Sequence, residues 1–163
     1  MKLNREPGVS HHHFRFFLCL TIIWLLPGWV CAQPAVRLAE QAGGEKIQFM
    51  EISWEEALKK AEAAHKPIFV DAYASWCGPC KQLKATTFQN PQAARFFNEH
   101  FINLSIDMEK GAGINLAAKW AIEAYPTLLI FGATGEPVLQ TVGFLRPGDL
   151  IRFGKQALAK KAG

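Results

Sequence analysis

Residues 67–73, Pro-Ile-Phe-Val-Asp-Ala-Tyr, form an apolar run broken by a single carboxylate. A run this short and rich in β-branched and aromatic residues reads as a strand buried on both faces, the pattern of a sheet covered by helices on each side. Around it the periodicity alternates between helical and extended. Ser53-x-x-Glu56 is a capping box, and Trp54, Ala57, Leu58 and Ala61 recur at helical spacing until His65, where Lys66-Pro67 ends the helix. A further helix is expected from Cys77 to Thr87. Asn90-Pro91 is an N-cap followed by proline in the first turn, predicting a helix to about Glu99. Phe101 to Asp107 reads as a strand, 109–113 as a loop, and Ile114 to Ala121 as a short helix with Leu116, Ala117 and Trp120 on one face. Strands Thr127–Phe131 and Val138–Val142 flank a loop at 132–136 suited to an antiparallel hairpin. Arg146-Pro147-Gly148 opens a terminal amphipathic helix with Leu150, Ile151, Phe153, Ala157 and Leu158. Lys46 to Ile52 is expected as an edge strand.

The order β-α-β-α-(α)-β-α-β-β-α predicts an α/β fold with a central mixed sheet and helices on both faces. With 163 residues the expectation is one folded domain, 46–163, without internal repeats. Trp54, Trp120, Phe96, Phe97 and Phe101 fall at helix or strand spacing and are read as core.

The first 32 residues follow different rules. Lys2, Arg5 and Arg15 precede an eleven-residue apolar run, Phe16 to Leu26, which Pro27-Gly28 breaks. Val30-Cys31-Ala32 suits cleavage before Gln33, and the run is shorter than the roughly 20 residues of a membrane span. The expectation is a cleaved secretory signal and a periplasmic mature chain. An uncleaved anchor facing the periplasm is one alternative. A lipoprotein signal through Cys31 is another, disfavoured by the bulky Trp29-Val30. Residues 33–45, small and polar with Gly43-Gly44, read as a flexible lead-in.

Removing the signal changes the meaning of the cysteines. Cys19 and Cys31 leave with it, and Cys77 and Cys80 remain, so the mature chain is not a disulfide-stapled scaffold. It carries 15 basic and 13 acidic residues with no basic run, which argues against nucleic acid as a partner. His11-His12-His13 lie in the signal and are read as meaningless for function.

Trp76-Cys77-Gly78-Pro79-Cys80 places two thiols at a strand–turn–helix junction. Two cysteines so spaced reach disulfide geometry, and the first sits where the helix dipole and unpaired N–H groups favour its thiolate. Cys77 is therefore the candidate nucleophile and Cys80 the resolving thiol of a redox pair. Half of a zinc site is the alternative, but the remaining histidines, His65 and His100, come with no second cysteine pair; no metal is expected. Asp71, six residues before Cys77, has no structural reason to lie in an apolar strand. Tyr125-Pro126-Thr127 opens the next strand with a candidate cis proline, an ordinary trans proline being the alternative.

Phe69-Val70-Asp71 before Trp-Cys-Gly-Pro-Cys, x-Pro-Thr about 46 residues later, and a hairpin ending in Val142-Gly143 together resemble the thioredoxin family, over roughly Lys46 to Ala159. The segment Thr87-Phe88-Gln89-Asn90-Pro91-Gln92, with Val142-Gly143-Phe144, looks like the periplasmic C-terminal domain of the transmembrane thiol:disulfide interchange reductase and its free-standing exported relatives. The dipeptide Gly78-Pro79, however, is that of cytosolic thioredoxin. The resemblance implies a thioredoxin fold and a thiol–disulfide oxidoreductase, without bound cofactor, that cycles a Cys77–Cys80 disulfide. It implies Asp71 as the proton acceptor for Cys80 beneath the pair, where the alternative is a carboxylate capping a loop. It implies Pro126 in cis facing the pair, with Trp76, Gly78, Pro79, Tyr125 and Pro126 as the substrate surface. Family members pair the aspartate with a lysine on the neighbouring strand; the matching position here is Asn103. Expected partners are disulfide-containing exported proteins and a membrane thiol reductase as electron donor, with the protein a monomer. An isomerase or oxidase, or a non-catalytic binding or chaperone module, is the alternative reading. Glu109 and Lys110 are read as a solvated loop.

Overall fold

The computed structural model describes residues 46–161, except the side chain of Lys161. The expected signal at 1–32 and lead-in at 33–45 lie outside the described residues. In chain order the elements are α1 (Trp54–Ala64), β1 (Ile68–Tyr73), α2 (Gly78–Ala85), a 3₁₀ turn (Thr87–Gln89), α3 (Pro91–His100), β2 (Ile102–Asp107), α4 (Gly113–Lys119), β3 (Thr127–Phe131), β4 (Pro137–Val142) and α5 (Pro147–Lys161). The sheet runs β2-β1-β3-β4, with β1 and β2 parallel and the other two pairings antiparallel.

Local signals set the helix starts. The Ser53 hydroxyl accepts from the Glu56 N–H at 3.1 Å while the Glu56 carboxylate accepts from the Ser53 N–H at 3.0 Å, closing the capping box. The Asn90 side chain accepts from the N–H groups of Gln92 and Ala93, each at 3.1 Å, and Pro91 follows where a missing N–H costs little. At Gly113, the start of α4, an added Cβ would stand 2.0 Å from the Asp107 carbonyl oxygen, so only glycine allows that turn to close.

Alternation along β1 divides the core in two. Phe69 points to a layer built with Leu83, Phe88, Phe97, Phe101, Leu128 and Leu150, which α2, α3 and α5 cover. Ile68, Val70 and Ala72 point to the other layer, with Trp54 and Ala57 of α1, Leu104 and Phe131. Trp120 packs edge-on to Trp54 at 4.9 Å between ring centroids. Of the expected aromatic core, Trp54, Phe97 and Phe101 are buried, with Phe97 between Phe69 (4.6 Å) and Phe101 (4.9 Å), while Phe96 and Trp120 are half-buried and pack against it.

One expected element is absent. Residues 46–52 form no strand. Their backbone groups are taken up one at a time: the Ile47 N–H donates to the Phe88 carbonyl, the Gln48 N–H to the Asn98 side chain, and the Met50 N–H to the Asn103 carbonyl. Partners drawn from a 3₁₀ turn, a helix and a strand cannot continue a ladder, although the alternating residues themselves suit one. The second expected helix is also shorter, ending at Ala85 before the 3₁₀ turn.

Truncating Phe97 to alanine is expected to lower stability by about 3–5 kcal/mol, because a ring packed on two others leaves a cavity that cannot collapse. Urea unfolding of the Phe97→Ala protein measures this; a loss below about 1 kcal/mol would mean the layer repacks freely.

Candidate active site

The site begins where β1 runs out. The Cys77 N–H donates to the Ala74 carbonyl (3.1 Å), folding the chain over the strand end. Cys77 then stands at the N-cap of α2 with extended backbone, and its sulfur accepts from the Cys80 N–H at 3.1 Å. Gly78 and Pro79 fill the first turn, where an N–H is unpaired in any helix. A disulfide joins Cys77 and Cys80, whose Cα atoms are 5.3 Å apart. Both cysteines are buried with Ala74, against Tyr73 and Tyr125. Among the described residues no three side chains of His, Cys, Asp and Glu gather into a group that could hold a metal ion.

Trp76 stands over this junction, 67% exposed. Its indole N–H donates to the Glu109 carboxylate at 2.7 Å, and its ring meets Tyr125 edge-on at 6.1 Å. The Tyr125–Pro126 peptide is cis. The Pro126 carbonyl accepts from the Gly143 N–H at 2.8 Å, and Gly143 has φ of 100°, a conformation that suits glycine. Lys110, next to Glu109, donates to the Ser75 hydroxyl and pairs with Asp107, both at 3.2 Å. Glu109 and Lys110 are exposed, but they tie the loop after β2 to Ser75 and Trp76, so the reading of a merely solvated loop is corrected.

Asp71 lies on the same face of β1 as Phe69 and Tyr73, two residues to either side. Phe69 packs in one layer with Leu83 of α2, and the Lys84 ammonium of α2 lies 3.2 Å from the centre of the Tyr73 ring. The carboxyl therefore sits beneath the helix that carries the cysteines, with no surface exposed. Its Oδ2 accepts from the Ser105 hydroxyl at 2.8 Å; its Oδ1 has no hydrogen-bond partner among the described residues. Burial pushes the Asp71 pKa up to about 6, against the pull of the Ser105 hydrogen bond and the Lys84 charge. The same burial pushes Lys84 down, and Asp71 and Asp107 oppose that shift.

Sequence and structural comparisons agree on the class. A profile of the thioredoxin-like domain matches residues 54–158. The chain belongs to the thioredoxin-like family. It is 30% identical over 143 residues to the thiol:disulfide interchange protein DsbD of Vibrio vulnificus, covering 80% of this chain and 24% of that protein. It is 35% identical over 106 residues to the chloroplastic thioredoxin Y of Oryza sativa subsp. japonica, covering 65% of this chain and 58% of that one. The chain thus spans about a quarter of DsbD and under two thirds of thioredoxin Y. Among solved structures, a candidate disulphide-isomerase from Bacteroides thetaiotaomicron is 44% identical with a TM-score of 0.63, over 69% of this chain and 93% of that one.

Within this thioredoxin-like fold, the structure brings together Asp71, Trp76, Cys77, Gly78, Pro79, Cys80 and Tyr125, with Pro126 beside Tyr125. Asn103 is not the partner of Asp71. It stands opposite Phe69, and its amide donates to the Phe97 carbonyl at 3.3 Å; Ser105 is the residue opposite Asp71. Sequence reasoning also missed Lys84, although its place four residues after Cys80 puts it on the same side of α2. Glu109 carried no signal at all, since only the fold brings it to Trp76.

The direction of the Asp71 shift has a stability consequence. Between about pH 4 and pH 6 the native state keeps a proton that the unfolded chain has released, so stability should fall by up to about 3 kcal/mol as pH rises through that window. Asp71→Asn should remove this component and be more stable than the unaltered protein at pH 7, but not at pH 4. Urea unfolding of both oxidised proteins across that range checks it; parallel pH profiles would show that Asp71 does not titrate with a raised pKa.

Proposed function

We propose that this thioredoxin-like protein is a thiol–disulfide oxidoreductase that reduces or exchanges disulfides of exported proteins through a Cys77/Cys80 dithiol–disulfide cycle. The observation that carries the reading is the cysteine pair at the N-cap and first turn of α2, lying over a buried carboxyl. Unpaired N–H groups and the positive helix end stabilise a thiolate on Cys77. That thiolate attacks a substrate disulfide, forming a mixed disulfide and releasing one substrate thiol. Cys80, the resolving residue, gives its proton to Asp71 and attacks Cys77, freeing the second substrate thiol and closing the internal disulfide.

Substrate meets Trp76, Gly78 and Pro79 on one side and Tyr125 and Pro126 on the other. The exposed indole supplies apolar contact area, and the backbone at Tyr125 pairs with an extended substrate segment. The N-terminal signal expected from the sequence supports a periplasmic setting, in which a membrane thiol reductase recharges the pair. The similarity to DsbD, a protein named for thiol:disulfide interchange, supports the same assignment. The similarity to a candidate disulphide-isomerase favours isomerisation as the second reading.

A Cys80→Ser protein, expressed in full, should accumulate mixed disulfides to exported proteins through Cys77, visible on non-reducing gels and lost on adding reductant. Cys77→Ser should form none and lose activity; full retention of function by Cys77→Ser would instead indicate a non-catalytic binding module. The reduction potential of the pair decides direction: about −270 mV indicates a reductant, and about −180 to −120 mV an isomerase or oxidant.

A further inference from the structure

Packing alone does not fix a mostly exposed indole, and Trp76, directly before Cys77, is 67% exposed. Its side chain has two torsions to settle, and two contacts settle them. The indole N–H donates to the Glu109 carboxylate at 2.7 Å, and the ring meets Tyr125 edge-on, the two planes at 76°. Tyr125 in turn packs against Ala74, Cys77 and Cys80. Glu109 is itself held. Its N–H donates to the Asp107 carboxylate at 3.1 Å, the same carboxylate pairs with Lys110, and Lys110 donates to the Ser75 hydroxyl. Two consecutive residues of the loop after β2 thus grip the two consecutive residues before Cys77.

We infer that Glu109 is a positioning residue for peptide substrates: it fixes the Trp76 ring against Tyr125, so that the two rings form a preordered platform beside the cysteines. This rests on the proposed reading of Trp76 and Tyr125 as substrate surface. A free indole would lose rotamer freedom each time a substrate segment docked, and that loss would weaken docking. Here the hydrogen bond to Glu109 orders the ring beforehand. The thiol chemistry is a separate matter, because Glu109 acts on the ring while the start of α2 acts on Cys77. A disulfide too small to lie across the rings therefore reacts independently of Glu109, whereas a peptide disulfide depends on it.

The neighbouring charges leave this role to Glu109. Asp107 is occupied by Lys110 and by the Glu109 N–H, and Lys110 by Asp107 and Ser75. Among the described residues Glu109 enters no ion pair, so its carboxylate is free to accept from the indole. An ionised acceptor makes the shorter and stronger kind of hydrogen bond, in keeping with the 2.7 Å distance. Burial pushes the Tyr125 hydroxyl up, and the charges of Glu109 and then Asp107 push it the same way, as a carboxylate near both rings requires.

The test compares two substrates of the reduced full chain, a peptide with an internal disulfide and the small hydroxyethyl disulfide. The thiol formed is separated by chromatography after acid quenching, and the rate of the Cys77→Ser protein is subtracted. Glu109→Ala should slow the peptide about fivefold while the small disulfide stays within about twofold of the unaltered rate. Glu109→Gln, whose amide oxygen still accepts, should restore most of the peptide rate. Trp76→Phe, which lacks the indole N–H, should slow the peptide, and adding Glu109→Ala to it should change the rate by less than about twofold. Equal slowing of both substrates by Glu109→Ala would mean an effect on the thiols, and the assignment would be wrong. It is also wrong if Glu109→Gln is as slow as Glu109→Ala, or if Glu109→Ala slows Trp76→Phe as much as it slows the unaltered protein. A peptide rate unchanged in Glu109→Ala or in Trp76→Phe removes the platform and leaves the cysteine cycle standing. If the unaltered chain reduces neither substrate, the oxidoreductase reading itself fails and the role of Glu109 falls with it.

Discussion

The Met108 N–H donates to the Tyr73 carbonyl at 2.8 Å, and with that bond the parallel pair β1 and β2 ends. Both strands then leave the sheet at the same end, and each leads directly into a functional segment. After β1 come the turn at Ala74 and the cysteines; after β2 come Glu109 and Lys110, which reach back to Trp76 and Ser75. Had the register of this pair slipped by one residue, Ser105 would no longer stand opposite Asp71, and the alternation that assigns Asp71 to the α2 face would be lost. The termination of one parallel pairing therefore governs the placement of thiols, carboxyl and rim together.

Energetically the site is held by a core that tolerates one misfit. Phe69, Leu83, Phe88 and Phe97 bury apolar surface around a carboxyl that has one hydrogen bond among the described residues. Placing an ionisable group there costs stability whenever it is charged, and the raised pKa is the same cost seen as proton affinity. Lys84 moderates it without eliminating it, because its ammonium is itself partly desolvated above Tyr73. A fully satisfied ion pair would have produced a carboxylate of ordinary or lowered pKa, a poor proton acceptor near neutral pH. An unbalanced one leaves the Asp71 pKa at about 6, in reach of the proposed proton transfer from Cys80.

The rim is assembled from distant parts of the chain: Trp76 before α2, Glu109 after β2, Tyr125 and Pro126 before β3, and Gly143 after β4. All lie on connecting segments at the ends of strands, so their chemistry can vary while the sheet and its two helical layers stay constant.

Much of this protein was legible in its sequence because the signals are local. The capping box at Ser53, the Asn90-Pro91 start, the two-sided apolar run of β1 and the Cys77–Cys80 spacing each act within a few residues, through hydrogen bonds and backbone preferences that need no distant partner. The misfit of Asp71 was visible for the same reason: a charge in an apolar strand stands out against its neighbours. Tertiary structure decided the rest. Residues 46–52 alternate as a strand should, yet Phe88, Asn98 and Asn103 take up their backbone groups singly. Ser105 as the partner of Asp71, and Glu109 as the anchor of Trp76, arise from strand register and loop closure across more than 30 residues. A hydrogen bond depends on positions in space, and composition and periodicity do not carry them over such separations.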